Sequence, residues 1–258
     1  MIYNNLFYFL IVIFTVSTNS AAAEPAFSIF WTLVLLGGTA WLYAQAAERF
    51  FAGIGVSSSA YFLAEKRLSI LAVALFVLWI YLLDLKYYLN PLSLGGRLPA
   101  LVDIGGLACF FLLMTLMWRA ARRHYGQIFQ RRYTAVGFIL SNWKTNLPIV
   151  LPWLVLSLLF DGLQALPFPE LSEIFHSPWA DVVFFVAFLV FLMLAFPPLV
   201  KVLWGCRPLP AGPLHDRLKA FSSKLGFSPE IYLWPLFEGQ VLTAAVLGIV
   251  PGLRYLLI

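Results

Sequence analysis

Five apolar runs, Ala26 to Ala47, Leu68 to Leu83, Leu98 to Trp118, Leu147 to Leu166 and Val182 to Val200, set the terms on which this chain folds. Four of them approach or exceed the roughly 20 consecutive apolar residues that an α-helix needs to cross a bilayer. The second, sixteen residues as it stands, reaches Leu89 if Asp84 and Lys86 sit at the far headgroups and the lysine stem snorkels. Asn90-Pro91 then stops it, and Gly95-Gly96 begins a turn. Pro148 and Pro152 fall where the fourth span is expected to start, and Pro197-Pro198 is expected to break the fifth near its end. With 62% hydrophobic and 11% charged residues the chain lies far from the roughly 25% charged content of a soluble domain. The pattern predicts a mainly α, polytopic membrane protein of about five transmembrane helices, preceded by an N-terminal signal or anchor segment and followed by a small α+β cytoplasmic tail.

Charge orients the spans. The net charge of +5 could suggest a nucleic-acid partner, but no groove-reading or base-stacking motif accompanies it, so no nucleic acid is expected. Arg119 to Lys144 holds Arg119, Arg122, Arg123, Arg131, Arg132 and Lys144 with no acidic residue, which marks it as cytoplasmic, with anionic headgroups the usual neighbours of such a cluster. Pro167 to Asp181 holds Glu170, Glu173 and Asp181 with no basic residue and belongs on the other side. All but Lys86 and Arg97 of the 17 basic residues then face inward, an arrangement that fits a bacterial inner membrane with the tail cytoplasmic.

The start of the chain carries two readings. Leu6 to Val16 followed by Ser17 to Ala23, with its Ala21-Ala22-Ala23 ending, has the form of a signal peptide. Met1 to Asn5 lacks the Lys or Arg such a peptide carries, which equally fits an uncleaved anchor. The expected organisation is residues 1–23 as signal or anchor, 24–204 as the multi-span membrane domain and 205–258 as a partial cytoplasmic α+β domain.

Chemistry-bearing residues are sparse. Cys109 and Cys206 make neither a disulfide framework nor a four-ligand zinc site. His124, His176 and His215 fall in separate segments, and no His-Glu-x-x-His occurs. Asp103 opens the third span, where a carboxylate more often meets the interface or a neighbouring helix than an ion path. A transporter would need charges paired across spans, and only Asp84, Lys86 and Asp103 present themselves. Ser222-Ser223 has no strained turn beneath it and is no nucleophile elbow. The Gly37-Gly38 and Gly105-Gly106 pairs suit close helix packing.

The tail reads as a folded piece. After the connector Pro208 to Pro213, Leu214, Leu218, Phe221 and Leu225 recur at helical spacing, with Gly212-Pro213 to start the helix and Gly226 to end it. The apolar face suits either packing on a small domain or lying on a membrane surface. Ile231 to Trp234, Val241 to Leu247 and Leu253 to Ile258 read as three short strands, too few to bury both faces and cover the edges.

Arg207-Pro208-Leu209, the helix ending in Lys224-Leu225-Gly226-Phe227, the strand Ile231-Tyr232-Leu233, the run Thr243 to Gly248 and the strand Arg254 to Ile258 resemble the opening of the catalytic domain in membrane-anchored zinc metallopeptidases, the family of the heat-shock protease HtpX and the CAAX prenyl proteases. In that family the sheet leads into a helix bearing His-Glu-x-x-His, whose histidines and a further carboxylate hold zinc. The resemblance implies that Thr243, Ala244, Ala245 and Gly248 form a substrate-aligning strand, Thr243 standing where the family has Asn. It also implies that this chain is the membrane-anchoring portion, ending before the zinc-binding helix and inactive as given. No catalytic or metal residue and no cofactor are therefore expected in it, zinc belonging to a full-length family member. The expected partners are the lipid bilayer and a peptide or protein at the tail. The other reading is a non-enzymatic membrane protein whose tail binds a partner along its sheet edge.

Overall fold

The structure, a computed structural model, describes residues 2–130, 132–165, 179–234 and 244–258. Two compact units divide the chain, Met1–Pro167 and Phe168–Ile258. The first is helical: α1 (Ile2–Thr18), α2 (Ile29–Ala52), α3 (Ser58–Tyr81), α4 (Leu85–Leu89) with a 3₁₀ turn (Asn90–Ser93), α5 (Ala100–Ile128) and α6 (Ala135–Ala165). Among the described residues the second holds α7 (Ala180–Leu203), α8 (Pro213–Lys224) and four short strands. Among the described residues four helices, α2, α5, α6 and α7 from Phe185, are long and apolar enough to cross a membrane, or five if α3 and the bent α4 segment count as one span.

Helix α5 is the axis of the first unit and touches every other helix in it. Its most apolar stretch is 50% buried, against 11% and 17% for those of α2 and α6. Phe110, Leu113, Met114, Met117, Ala121 and Tyr125 supply the buried stripe at helical spacing. Gly106 lets α1 come close, since a Cβ there would meet Val16 at 3.4 Å. Beside it Phe9 of α1 sets its ring edge-on to Phe110, 5.4 Å between centroids, and Phe76 of α3 does the same from 5.6 Å.

The two ends of this unit differ in chemistry. At one, aromatic rings lock the helix termini: Phe51 against Tyr61 and His124, and Tyr61 against Tyr125, which also meets Phe129 and Phe138. Arg122 Nη1 closes the α5–α6 connection by donating to the Tyr133 carbonyl at 2.9 Å. Exposed Arg49, Lys66, Arg67, Arg119, Arg123 and Arg132 lie on the helices and connection at that end. At the other, polar groups join loops and helix starts. Asp84 Oδ2 accepts from Ala26 N at 2.8 Å, Asp161 Oδ2 accepts from Ala100 N, and the Tyr88 hydroxyl donates to the Phe27 carbonyl.

Lys86 belongs to that second end, and it corrects the expected snorkelling. Its ammonium turns inward, 2.9 Å from Asp103 Oδ1, and donates to the carbonyls of Val16 and Asn19 at 2.8 and 2.7 Å. The second span does not run straight to Leu89 either. Helix α3 stops at Tyr81, Asp84 takes the left-handed conformation (φ 46°), and the following segment turns by 73°. That break points Lys86 at Asp103 and at the C-terminal end of α1, where a cation is favoured by the helix dipole.

Several boundaries also move. Glu65, Lys66 and Arg67, which precede the apolar run beginning at Leu68, lie within α3, and α5 and α6 absorb most of the basic stretch, leaving residues 129–134 as the connection. Helix α6 therefore begins at Ala135, so Pro148 and Pro152 sit in its interior. Asn142, Thr145 and Asn146 return side-chain hydrogen bonds to backbone carbonyls one turn back in the same stretch. Pro197-Pro198 does not end α7. Proline's fixed φ is helical, and the helix runs on although the carbonyls of Met193 and Leu194 lose their amide partners.

Replacing Lys86 by Met leaves the half-buried Asp103 carboxylate and two carbonyls without their donor. It should destabilise the purified protein by about 3–5 kcal/mol, the range for breaking a buried pair from one side. Adding Asp103→Leu should recover part of that loss. Thermal unfolding of the wild type, the single and the double variant checks this; a melting temperature unmoved by Lys86→Met refutes it.

Candidate functional site

The second unit ends in a mixed sheet of order β1-β2-β4-β3. Strands β2 (Glu230–Leu233) and β4 (Tyr255–Leu257) run parallel at its centre, pairing Glu230 with Tyr255 and Tyr232 with Leu257. Strand β1 (Arg207–Pro208) lies antiparallel to β2 on one side. It adds a fourth strand to the three expected, and its proline is tolerable because an edge strand need not donate every amide. Strand β3 (Ala245–Leu247) lies antiparallel to β4 on the other side, pairing Ala245 with Leu257 and Leu247 with Tyr255.

The end of α7 covers one face of this sheet. Trp204 stacks flat on Trp234, 4.3 Å between ring centroids and 8° between planes. Lys201 Nζ sits 4.7 and 4.4 Å from the ring centroids of Tyr232 and Tyr255 and donates to the Tyr232 hydroxyl at 3.2 Å. Tyr232 in turn donates to Glu230 Oε2 at 2.9 Å. Ala245 and Leu247 pack beside Tyr255 and Leu257 on the same face. Burial pushes the neighbouring Cys206 thiol up, which suits a packing role over a nucleophilic one. In the sequence Lys201 marks only the side of the membrane and Trp204 carries no role; the available signal is a Lys and a Trp directly after an apolar run.

Of the residues expected to align a substrate, Thr243 lies outside the described residues. Ala244 is exposed just before β3, and Ala245 begins the strand half-buried. Gly248 follows it at φ 87°, and a Cβ there would overlap the Leu253 carbonyl, so glycine is required for the β3–β4 turn. Arg254 Nε braces that turn by donating to the Ile249 carbonyl at 2.9 Å. Val246 points to the opposite face from its two neighbours and is 59% exposed. Among the described residues no strand pairs with the outer side of β3. Along an antiparallel edge, alternate residues turn their N–H and C=O groups outward, ready for another extended chain.

Other chemistry is thin in this unit. A shallow groove of about 340 Å³ runs between α8 and β2, with Pro208, His215, Lys219, Glu230 and Tyr232 on its walls. His215 Nδ1 lies 3.3 Å from Asp216 Oδ1. His124 packs on Phe51 in the first unit, and His176 lies outside the described residues. Among the described residues no three His, Cys, Asp or Glu side chains come together. The described residues therefore do not fit a zinc centre. Comparison with protein-family models, curated proteins and solved structures finds no match to this chain.

Proposed function

We propose that this chain is a polytopic integral membrane protein that holds a peptide-binding sheet edge at the cytoplasmic face of its membrane. Four or five long apolar helices support the first half of the proposal. So do the large side chains exposed along α2 and α7, Phe30, Trp31 and Leu42 in one and Val183, Phe185 and Val190 in the other, which water would penalise and lipid tails would accept. The observation that carries the second half is the outer side of β3, with which no strand among the described residues pairs, on a sheet held by β4 and by the end of α7. An extended peptide adding there gains main-chain hydrogen bonds, and Val246 offers apolar contact on one face.

The resemblance of the tail, from Arg207-Pro208-Leu209 to the strand ending at Ile258, to the opening of the catalytic domain in the HtpX and CAAX prenyl protease family favours reading this edge as part of a membrane-anchored metallopeptidase. In that reading the chain anchors and presents a substrate, and a His-Glu-x-x-His helix acts on it. The coding sequence beyond the Ile258 codon tests this reading separately; a reading frame that continues without that motif removes it. Non-enzymatic capture of a protein partner uses the same edge and survives that result.

Two measurements test the proposal itself. Topology reporters inserted after Tyr133 and after Ile258 should both report the cytoplasm, and one at Gly95 the opposite side, as the basic residues require. A reporter at Gly95 on the cytoplasmic side overturns the orientation. For the edge, Val246→Pro removes an amide and fits a paired strand poorly. Binding of a fluorescent, extended apolar peptide to the full chain in nanodiscs should weaken about tenfold, the equivalent of ~1.4 kcal/mol, as expected for one or two lost hydrogen bonds. Val246→Thr should bind nearly as wild type; equal binding by the proline variant sinks the assignment of the edge.

A further inference from the structure

Helix α8 keeps its apolar stripe uncovered. Leu214 is 56%, Phe221 62% and Leu225 68% exposed, and Ser222 is the one buried residue of the helix. By helical periodicity these three side chains lie on one stripe. Its two flanks differ. On one, His215 and Lys219 line the groove beside Ile231 and Tyr232, so that flank faces the sheet. On the other lie Arg217 and Lys224, both exposed. Asp216 and Ser223 sit opposite the stripe. The helix thus has one side on its own sheet, one apolar side open, a basic margin along the open side and its acidic residue turned away.

We infer that this stripe is a membrane-surface contact: α8 lies in the headgroup layer of the bilayer that α7 spans, with Leu214, Phe221 and Leu225 inserted and Arg217 and Lys224 on anionic phosphates. The inference rests on the reading of α7 as a span. Two observations choose lipid over other occupants. The helix starts ten residues after α7 ends at Leu203, so the stripe is tethered within a short reach of the interface. The basic residues also flank the apolar stripe, where long stems can run along it and place their charges at the phosphates. The β1 strand lies in the same short connection, so lipid contact by α8 fixes the sheet, and with it the outer edge of β3, close to the membrane surface.

The test uses the full chain with Cys109→Ser and Cys206→Ser, carrying one fluorescent label at Phe221→Cys, Ser223→Cys or Phe191→Cys. Each is reconstituted into vesicles of equal parts phosphatidylglycerol and phosphatidylcholine. Brominated acyl chains should quench the label at 221 and at 191 while aqueous iodide quenches the label at 223. Arg217→Glu with Lys224→Glu, or vesicles of phosphatidylcholine alone, should cut lipid quenching at 221 by about twofold or more, since the anionic attraction is lost or reversed. Iodide reaching 221 as readily as 223 overturns the inference, because the stripe then faces water. Shielding of 221 from both quenchers overturns it too, because protein then covers the stripe. Failure at 191 as well removes α7 from the bilayer and takes the span reading with it.

Discussion

The ammonium of Lys86 governs how one end of the helical unit is assembled. Removing such a charge from water costs several kcal/mol unless oxygens replace the lost hydration. Here Asp103 and the carbonyls of Val16 and Asn19 do so, and they come from two other segments of chain. Meeting all three requires α3 to stop short and the chain to turn at Asp84, which explains a break in the middle of an apolar stretch that could otherwise have continued as helix. The same turn presents Asp84 to Ala26 and Tyr88 to Phe27, so one buried charge is accompanied by a set of contacts joining the α1–α2 connection to the α3–α5 connection.

The opposite end is held chiefly by aromatic packing. Rings from α2, α3, α5 and α6 pack at tilted and edge-on angles around Tyr125 and Phe51, and the exposed basic residues stay outside them. Each aromatic contact contributes about 0.5–1.5 kcal/mol beyond its buried area. Between the ends, Tyr43 to the Leu68 carbonyl, Trp79 to Thr39 and Trp143 to Thr115 place single hydrogen bonds between helices. Such bonds are worth little in sum yet fix the rotation of each helix against its neighbour.

This division explains what could be read from the sequence. Apolar runs announce helices because their length and composition are local properties, and α2, α5, α6 and α7 appear where the runs lie. Their ends were not legible: helical periodicity continues through Glu65 to Arg67 and through Arg119 to Arg123, where charge suggests a loop. The α3 break was hidden because neither Gly nor Pro marks it, and Asp84 is among the few other residues that adopt the left-handed turn readily. The inward turn of Lys86 depends on carbonyls some seventy residues away, which no local pattern encodes. In the tail, α8, its glycine stop and the central strands were legible from spacing and turn residues. Strand β1 was not, since two residues ending in proline carry no strand signature, and the Lys201 and Trp204 contacts looked like ordinary anchors at a span's end.

The sheet shows why those contacts matter to the outer edge of β3. Its strands are two to four residues long, and ordering each residue costs about 1–2 kcal/mol in backbone entropy alone. Stacking of Trp204 on Trp234 and the Lys201 ammonium over two tyrosine rings return about 0.5–1.5 kcal/mol apiece, too little to hold such strands as a free unit. Their value lies in where they attach the sheet. Lys201 and Trp204 are the last turn and cap of a 24-residue helix, so β2 and β4 are registered against a long rigid element, and β3 inherits that position through its pairing with β4. An edge fixed in this way loses little further freedom when another extended chain adds to it, and preorganisation of that kind lowers the cost of binding without any new contact.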